Sequence, residues 1–167
     1  MNEKKRTKGR CTCGEIEYAL TADPMFVHCC HCTWCQRETG SAFAVNALIE
    51  SDKVQLIQGY PEKNDVPSNS GIGQTISRCP SCKTALWSNY GAAKDAVRFI
   101  RVGTLDNPDA CPPDIHIFTS TKQTWVKLDN SVPVMEEYYQ RSKYWPEPSI
   151  VRYKRAIKAM QGNSSEG

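Results

Sequence analysis

Eight of the nine cysteines in this chain fall into three tight clusters, and these clusters constrain the fold more than any other feature. They read Cys11-Thr12-Cys13-Gly14, Cys29-Cys30-His31-Cys32-Thr33-Trp34-Cys35 and Cys79-Pro80-Ser81-Cys82, with Cys111 standing apart. A tetrahedral zinc ion takes four thiolate or imidazole ligands, and close pairs on tight turns supply them two at a time. Cys11/Cys13 and Cys79/Cys82 together make a complete four-thiolate structural set that would staple two hairpins. Cys30, Cys32 and Cys35 are different, offering three ligands within six residues. Three protein ligands plus an open vertex is the form of a catalytic zinc. A second division stays open, in which one four-cysteine site forms and Cys29 and the rest are idle. Cys111 belongs to no cluster and reads as a small buried hydrophobe.

Nine cysteines in 167 residues fall below the roughly 8–10% that marks a disulfide scaffold. The count is odd, and the basic start, Met1 to Arg10, has no apolar stretch behind it of the kind a secretory signal carries. A reducing, cytoplasmic setting with free or metal-bound thiols is therefore expected. Redox pairs at Cys32/Cys35 or Cys79/Cys82 are disfavoured, because no βαβ alternation surrounds them. A zinc deaminase is also disfavoured, since no histidine is followed two residues later by glutamate. The net charge of +3 is too mild to mark a nucleic-acid binder, and no apolar run reaches the roughly 18 residues of a membrane span.

The length predicts one domain. Residues 1–10 read as a flexible basic arm, 11–145 as the zinc-binding domain, and 146–167 as a helix and tail. Alternating apolar residues predict strands over Glu15 to Leu20, Met25 to His28, Ala42 to Glu50 and Lys53 to Gln58, the last two joined by a Ser51-Asp52 turn. Gly59 to Gly73, rich in Pro, Asn, Ser and Gly, reads as a loop. Further strands are expected over Gln74 to Arg78, Thr84 to Ser88, Ala96 to Val102, Ile115 to Thr119 and Thr124 to Leu128. Only Ile150 to Gln161 has helical spacing. The pattern is that of a mainly β domain of antiparallel sheets with a terminal helix. His28 and His31 flank candidate ligands and read as neighbours of a metal site more than as ligands. His116, within an apolar strand, reads as a half-buried structural residue.

At these residues the chain resembles the glutathione-dependent formaldehyde-activating enzyme family, also called the GFA or CENP-V/GFA domain. The resemblance covers roughly residues 10 to 140. It rests on Cys11-Thr12-Cys13-Gly14, on Cys30-His31-Cys32-Thr33-Trp34-Cys35 continuing through Gln36-Arg37-Glu38-Thr39-Gly40-Ser41, on Cys79-Pro80-Ser81-Cys82, and on His116 through Trp125. It implies an Mss4-like fold of packed antiparallel sheets and two zinc ions per chain, a structural one on Cys11, Cys13, Cys79 and Cys82 and a catalytic one on Cys30, Cys32 and Cys35. It also implies carbon–sulfur lyase-type chemistry, the condensation of glutathione with formaldehyde. The third motif departs from the family, which usually has an aromatic before the first cysteine and Gly after the second, where this chain has Arg78 and Lys83. A lysine in the left-handed conformation that such a Gly adopts would cost about 1–2 kcal/mol, or the turn must differ.

Three thiolates on Zn(II) leave a site of net charge −1, a weak Lewis acid that suits a substrate thiol better than a water to be activated. A coordinated thiol loses its proton, and the resulting thiolate is a nucleophile for a small aldehyde carbon. The alternative from another class is a non-catalytic, zinc-stabilised thiol carrier or interaction module. The expected partners are thus a small-molecule thiol and an aldehyde.

Overall fold

The computed structural model describes residues 6–163. Ten strands form two sheets. The smaller has the order β1-β2-β5, from β1 (Thr7–Arg10), β2 (Glu17–Leu20) and β5 (Val54–Gln58). The larger has the order β10-β3-β4-β9-β8-β7-β6, from β3 (Phe26–Cys30), β4 (Ala44–Glu50), β6 (Glu62–Val66), β7 (Gln74–Arg78), β8 (Ala85–Tyr90), β9 (Val97–Arg101) and β10 (Ile115–Ile117). Among the described residues, three α-helices accompany the sheets: α1 (Thr33–Thr39), α2 (Arg141–Tyr144) and α3 (Glu147–Asn163). The mainly β architecture with a C-terminal helix is as expected. One pairing departs from antiparallel: β10 runs parallel to β3.

Side-chain alternation along the strands of the large sheet builds two cores. Val27, Ala47, Ile49 and Ile100 face the small sheet and pack with Tyr18, Leu20, Val54 and Trp87. Their neighbours Phe26, Cys30, Leu48 and Val97 face the other way and pack with Tyr139, Trp145, Ile150, Tyr153 and Ile157. The second face is thus closed by the C-terminal segment. Arg152 of α3 fixes it there by donating to Glu50 Oε1 at 2.7 Å, to Glu50 Oε2 at 2.6 Å and to the Asp23 carbonyl at 2.9 Å.

Several local expectations are corrected. Thr7–Arg10 is not a flexible arm but a strand paired with β2, where Gly9 opposes Tyr18 and leaves room for its ring. Residues 1–5 of the expected arm and 164–167 of the tail lie outside the described residues. The stretch read as a loop over Gly59 to Gly73 contains β6, whose Glu-Lys-Asn-Asp-Val sequence lacks alternation because it is a charged edge strand. The short turn after β4 is as expected, and it carries the chain from the large sheet to β5 in the small one. Thr124 to Leu128 forms no strand. Helix α3 begins three residues earlier than its apolar spacing suggests and is 17 residues long.

Candidate functional site

Cys11 and Cys13 lie on the turn that leads from β1 to β2, and Cys79 and Cys82 on the turn that joins β7 to β8. Each turn is closed by its first cysteine. Gly14 N–H donates to the Cys11 carbonyl at 3.1 Å, and Lys83 N–H donates to the Cys79 carbonyl at 3.0 Å. The four sulfurs all lie within 4.8 Å of one another, with Cys11–Cys13 at 3.6 Å and Cys13–Cys79 at 3.7 Å. Zn–S bonds of about 2.3 Å at tetrahedral angles place sulfurs about 3.8 Å apart, so this donor set fits a zinc ion. Backbone N–H groups prepare the thiolates, with Ile16 N–H donating to Cys11 Sγ at 3.3 Å. Lys83 does adopt the left-handed conformation, at φ 63°, and its ammonium pairs with Glu62 at 2.9 Å. Arg78, the other departure from the family pattern, pairs with Glu38 of α1 and donates to the Lys83 carbonyl at 3.1 Å. The two cysteine regions are thereby tied to each other.

Cys30, Cys32 and Cys35 meet at the end of β3 and the start of α1, with their sulfurs within 4.8 Å of one another and all three side chains buried. Cys32 is the N-cap residue of α1, and its sulfur accepts the Cys35 N–H at 3.3 Å. The thiols of Cys30 and Cys35, with the backbone N–H groups of Cys35 and Trp34, hold the Cys32 thiol well below its ordinary range. Helix α1 went unseen in the sequence because seven residues show no apolar period. It stops at Gly40, which closes it in the left-handed conformation at φ 64°.

A residue that sequence reasoning missed lies beside this trio. Arg101 of β9 is buried and donates to Asn46 Oδ1 at 2.5 Å and Ser88 Oγ at 3.1 Å. The hydrogen bond with Cys30 and, more weakly, the Arg101 charge pull the Cys35 thiol down, but Cys32 and burial outweigh them and leave it pushed up to about 11. Arg101 also hydrogen-bonds Tyr90, whose hydroxyl burial pushes well above its usual range. No alternation or motif marks Arg101. Its role follows from sheet pairing alone, since Asn46 is its register partner on β4.

The remaining cysteines and histidines divide clearly. His28 points into an aromatic box, where its Nε2 meets the Tyr139 hydroxyl at 2.6 Å, and that oxygen accepts from Trp145 Nε1 at 2.6 Å. Burial holds His28 neutral, its pKa lowered to about 3. His31 and Cys29 turn away from the three-sulfur group and lie with His116, the His31 ring fully buried and packed on Phe43. Cys111 is buried in the core between the sheets, as expected. Beside α1 lies an open cleft of about 660 Å³, lined among others by Gln36, Arg37, Ser41, Gln123 and Trp125. Gln36 donates to the carbonyls of His31 and Thr121 at 2.8 and 2.9 Å, and Trp125 donates to Gln123, which donates to Gln36. Among the described residues, no helix is long and apolar enough to cross a membrane.

A search of the curated proteins finds no match. Among solved structures, the chain is similar to a Rhodobacter sphaeroides protein at 14% identity and a TM-score of 0.43, over 76% of this chain and 98% of that one. The sequence pattern of one family, described as glutathione-dependent formaldehyde-activating enzyme, matches residues 6–121. That span holds both cysteine groups, the strands that carry them and Arg101, and the chain belongs to this glutathione-dependent formaldehyde-activating enzyme (GFA) family.

Proposed function

We propose that this protein is a zinc-dependent carbon–sulfur lyase-type enzyme that adds a thiol, glutathione or a similar one, to formaldehyde or another small aldehyde. The observation that carries the reading is the incomplete donor set at Cys30, Cys32 and Cys35. No fourth cysteine, histidine, aspartate or glutamate among the described residues joins it. Cys29 and His31, the two neighbours able to complete it, belong to a different group. Cys11, Cys13, Cys79 and Cys82 form the closed counterpart and would hold a structural ion. Zinc held by the three thiolates would supply an open vertex for a substrate thiol and would favour its thiolate form.

The chain's own residues then have separate tasks. Cys30, Cys32 and Cys35 would hold the ion, with Cys32 already favoured as thiolate by the Cys30 and Cys35 thiols and then by the helix N–H groups. Arg101 balances the negative charge that three thiolates and one divalent ion leave in a buried place. The cleft beside α1 suits a small polar peptide such as glutathione, with Arg37 as a cation for a carboxylate. In the overall reaction the sulfur forms a bond to the aldehyde carbon, and the carbonyl oxygen takes the proton that the thiol gave up. No oxidant or reductant is needed.

Exchange NMR on mixtures of glutathione and formaldehyde tests this, because it follows adduct formation at equilibrium. The zinc-loaded protein is expected to raise the exchange rate above the buffer rate, and Cys32→Ser to abolish the increment. An unchanged rate with fully loaded protein would reject catalysis and favour a thiol-carrier role.

A further inference from the structure

We infer that Cys29, His31 and His116 form a third metal site, one that takes a borderline-soft transition ion such as zinc and pins β10 to β3. This goes beyond the proposed function, since neither the reaction nor the other two groups uses these residues.

The site follows from strand pairing. In the parallel β3–β10 register, His116 sits directly beside Cys29. Strand alternation turns Cys29 to the face opposite Cys30, and His31, two residues on, falls on the Cys29 side. The His31 backbone is fixed on three sides. Its N–H donates to the Ile117 carbonyl at 3.0 Å, and its own carbonyl accepts from Gln36 at 2.8 Å and from Thr121 Oγ1 at 3.1 Å. Two elements far apart in sequence therefore present three donors to one point.

The distances are of hydrogen-bond length and also lie near those of donors that share one ion. His31 Nε2 lies 3.0 Å from His116 Nδ1 and 3.5 Å from Cys29 Sγ, and all three atoms are within 4.8 Å of one another. Bonds of about 2.0–2.1 Å to nitrogen and 2.3 Å to sulfur put tetrahedral donors about 3.3–3.6 Å apart. A neutral imidazole nitrogen has either one proton or one lone pair, so His31 Nε2 can serve only one of its two neighbours. An ion serves all three. One thiolate and two imidazoles suit zinc, copper or cobalt and not the oxygen-seeking magnesium or calcium. On binding, the Cys29 S–H bond breaks, its proton goes to solvent, and the sulfur bonds the metal.

The test counts ions. The reduced full chain is loaded with cadmium-113, and metal content and the 113Cd spectrum are recorded. Three ions per chain are expected, with one resonance upfield of the other two because nitrogen donors shield the nucleus relative to thiolate sulfur. Cys29→Ala and His116→Ala should each lose that resonance and one ion, while Cys32→Ser keeps it. Two ions in the parent protein, or three whose resonances all survive both substitutions, would overturn the site. The count on the parent decides the matter even if a variant fails to fold, and it does so whatever the outcome of the exchange assay.

Discussion

The four-sulfur and three-sulfur groups use the same ligand and opposite kinds of connection. Cys11 and Cys13 belong to the small sheet, and Cys79 and Cys82 to the large one, 66 residues further on, so an ion there ties two sheets together. Cys30, Cys32 and Cys35 lie within one strand–helix junction, and an ion there ties the chain to nothing distant. Closing a loop tens of residues long removes more freedom from the unfolded chain than closing a local one of about six, by about 2 kcal/mol. On the proposed reading, ligand count and loop length together, rather than cysteine content, would separate a folding site from a working site.

The largest effect expected is from Cys79→Ser. Structural zinc in finger peptides is bound with about 10–16 kcal/mol at neutral pH, and losing even a third of that rivals the whole stability of a domain of ordinary size. Thermal unfolding should show Cys79→Ser unfolded or melting far below the parent, whereas Cys32→Ser melts close to it. The reverse order would invert the assignment of the two groups.

Arg101 sharpens the comparison from the other side. Arg101→Met leaves Asn46 and Ser88 without their donor and removes the cation beside Cys35. A loss of about 2–4 kcal/mol is expected from the broken buried network. Chelator competition should show weaker metal retention at Cys30, Cys32 and Cys35, with retention at Cys11, Cys13, Cys79 and Cys82 unchanged. Equal loss from both would make Arg101 merely structural.

A smaller effect, shared by neither group, belongs to the clamp on α3. Arg152→Ala removes three charge-assisted contacts and should cost about 1–3 kcal/mol in urea unfolding, with metal content unaltered. Smallest is Lys83→Gly at the second turn of the four-sulfur group. It relieves a left-handed lysine, a gain of about 1 kcal/mol after the extra freedom of glycine in the unfolded chain and the exposed Glu62 pair are set against it. A higher unfolding midpoint for the metal-loaded variant is expected. A lower one would mean that the Glu62 pair matters more than the backbone.

The cysteine groups were legible in the sequence because C-x-C and C-x2-C spacings are local and survive any arrangement of the rest. The strands with apolar alternation were legible for the same reason. What escaped depends on pairing between distant segments. Charged β6 is a strand only because β7 lies beside it. Helix α1 exists because Cys32 caps it and Gly40 ends it, not because it has an apolar face. Arg101 and the Cys29–His116 contact arise from β4–β9 and β3–β10 register, which no single stretch of sequence encodes. The left-handed Lys83 decides between two alternatives that the sequence left open, a strained lysine or a different turn.

The open vertex proposed at Cys30, Cys32 and Cys35 is tested most directly by cobalt substitution, because thiolate charge-transfer and ligand-field bands report the donors around the ion. Glutathione added to the cobalt-loaded chain should change the bands of one ion and release about one proton per thiol bound near neutral pH, where the free thiol is mostly protonated. S-methylglutathione should do neither. The response should vanish in Cys32→Ser and persist in Cys29→Ala. A spectrum indifferent to every thiol would show that the three-sulfur group is closed, and addition of a thiol to an aldehyde at that site would be wrong.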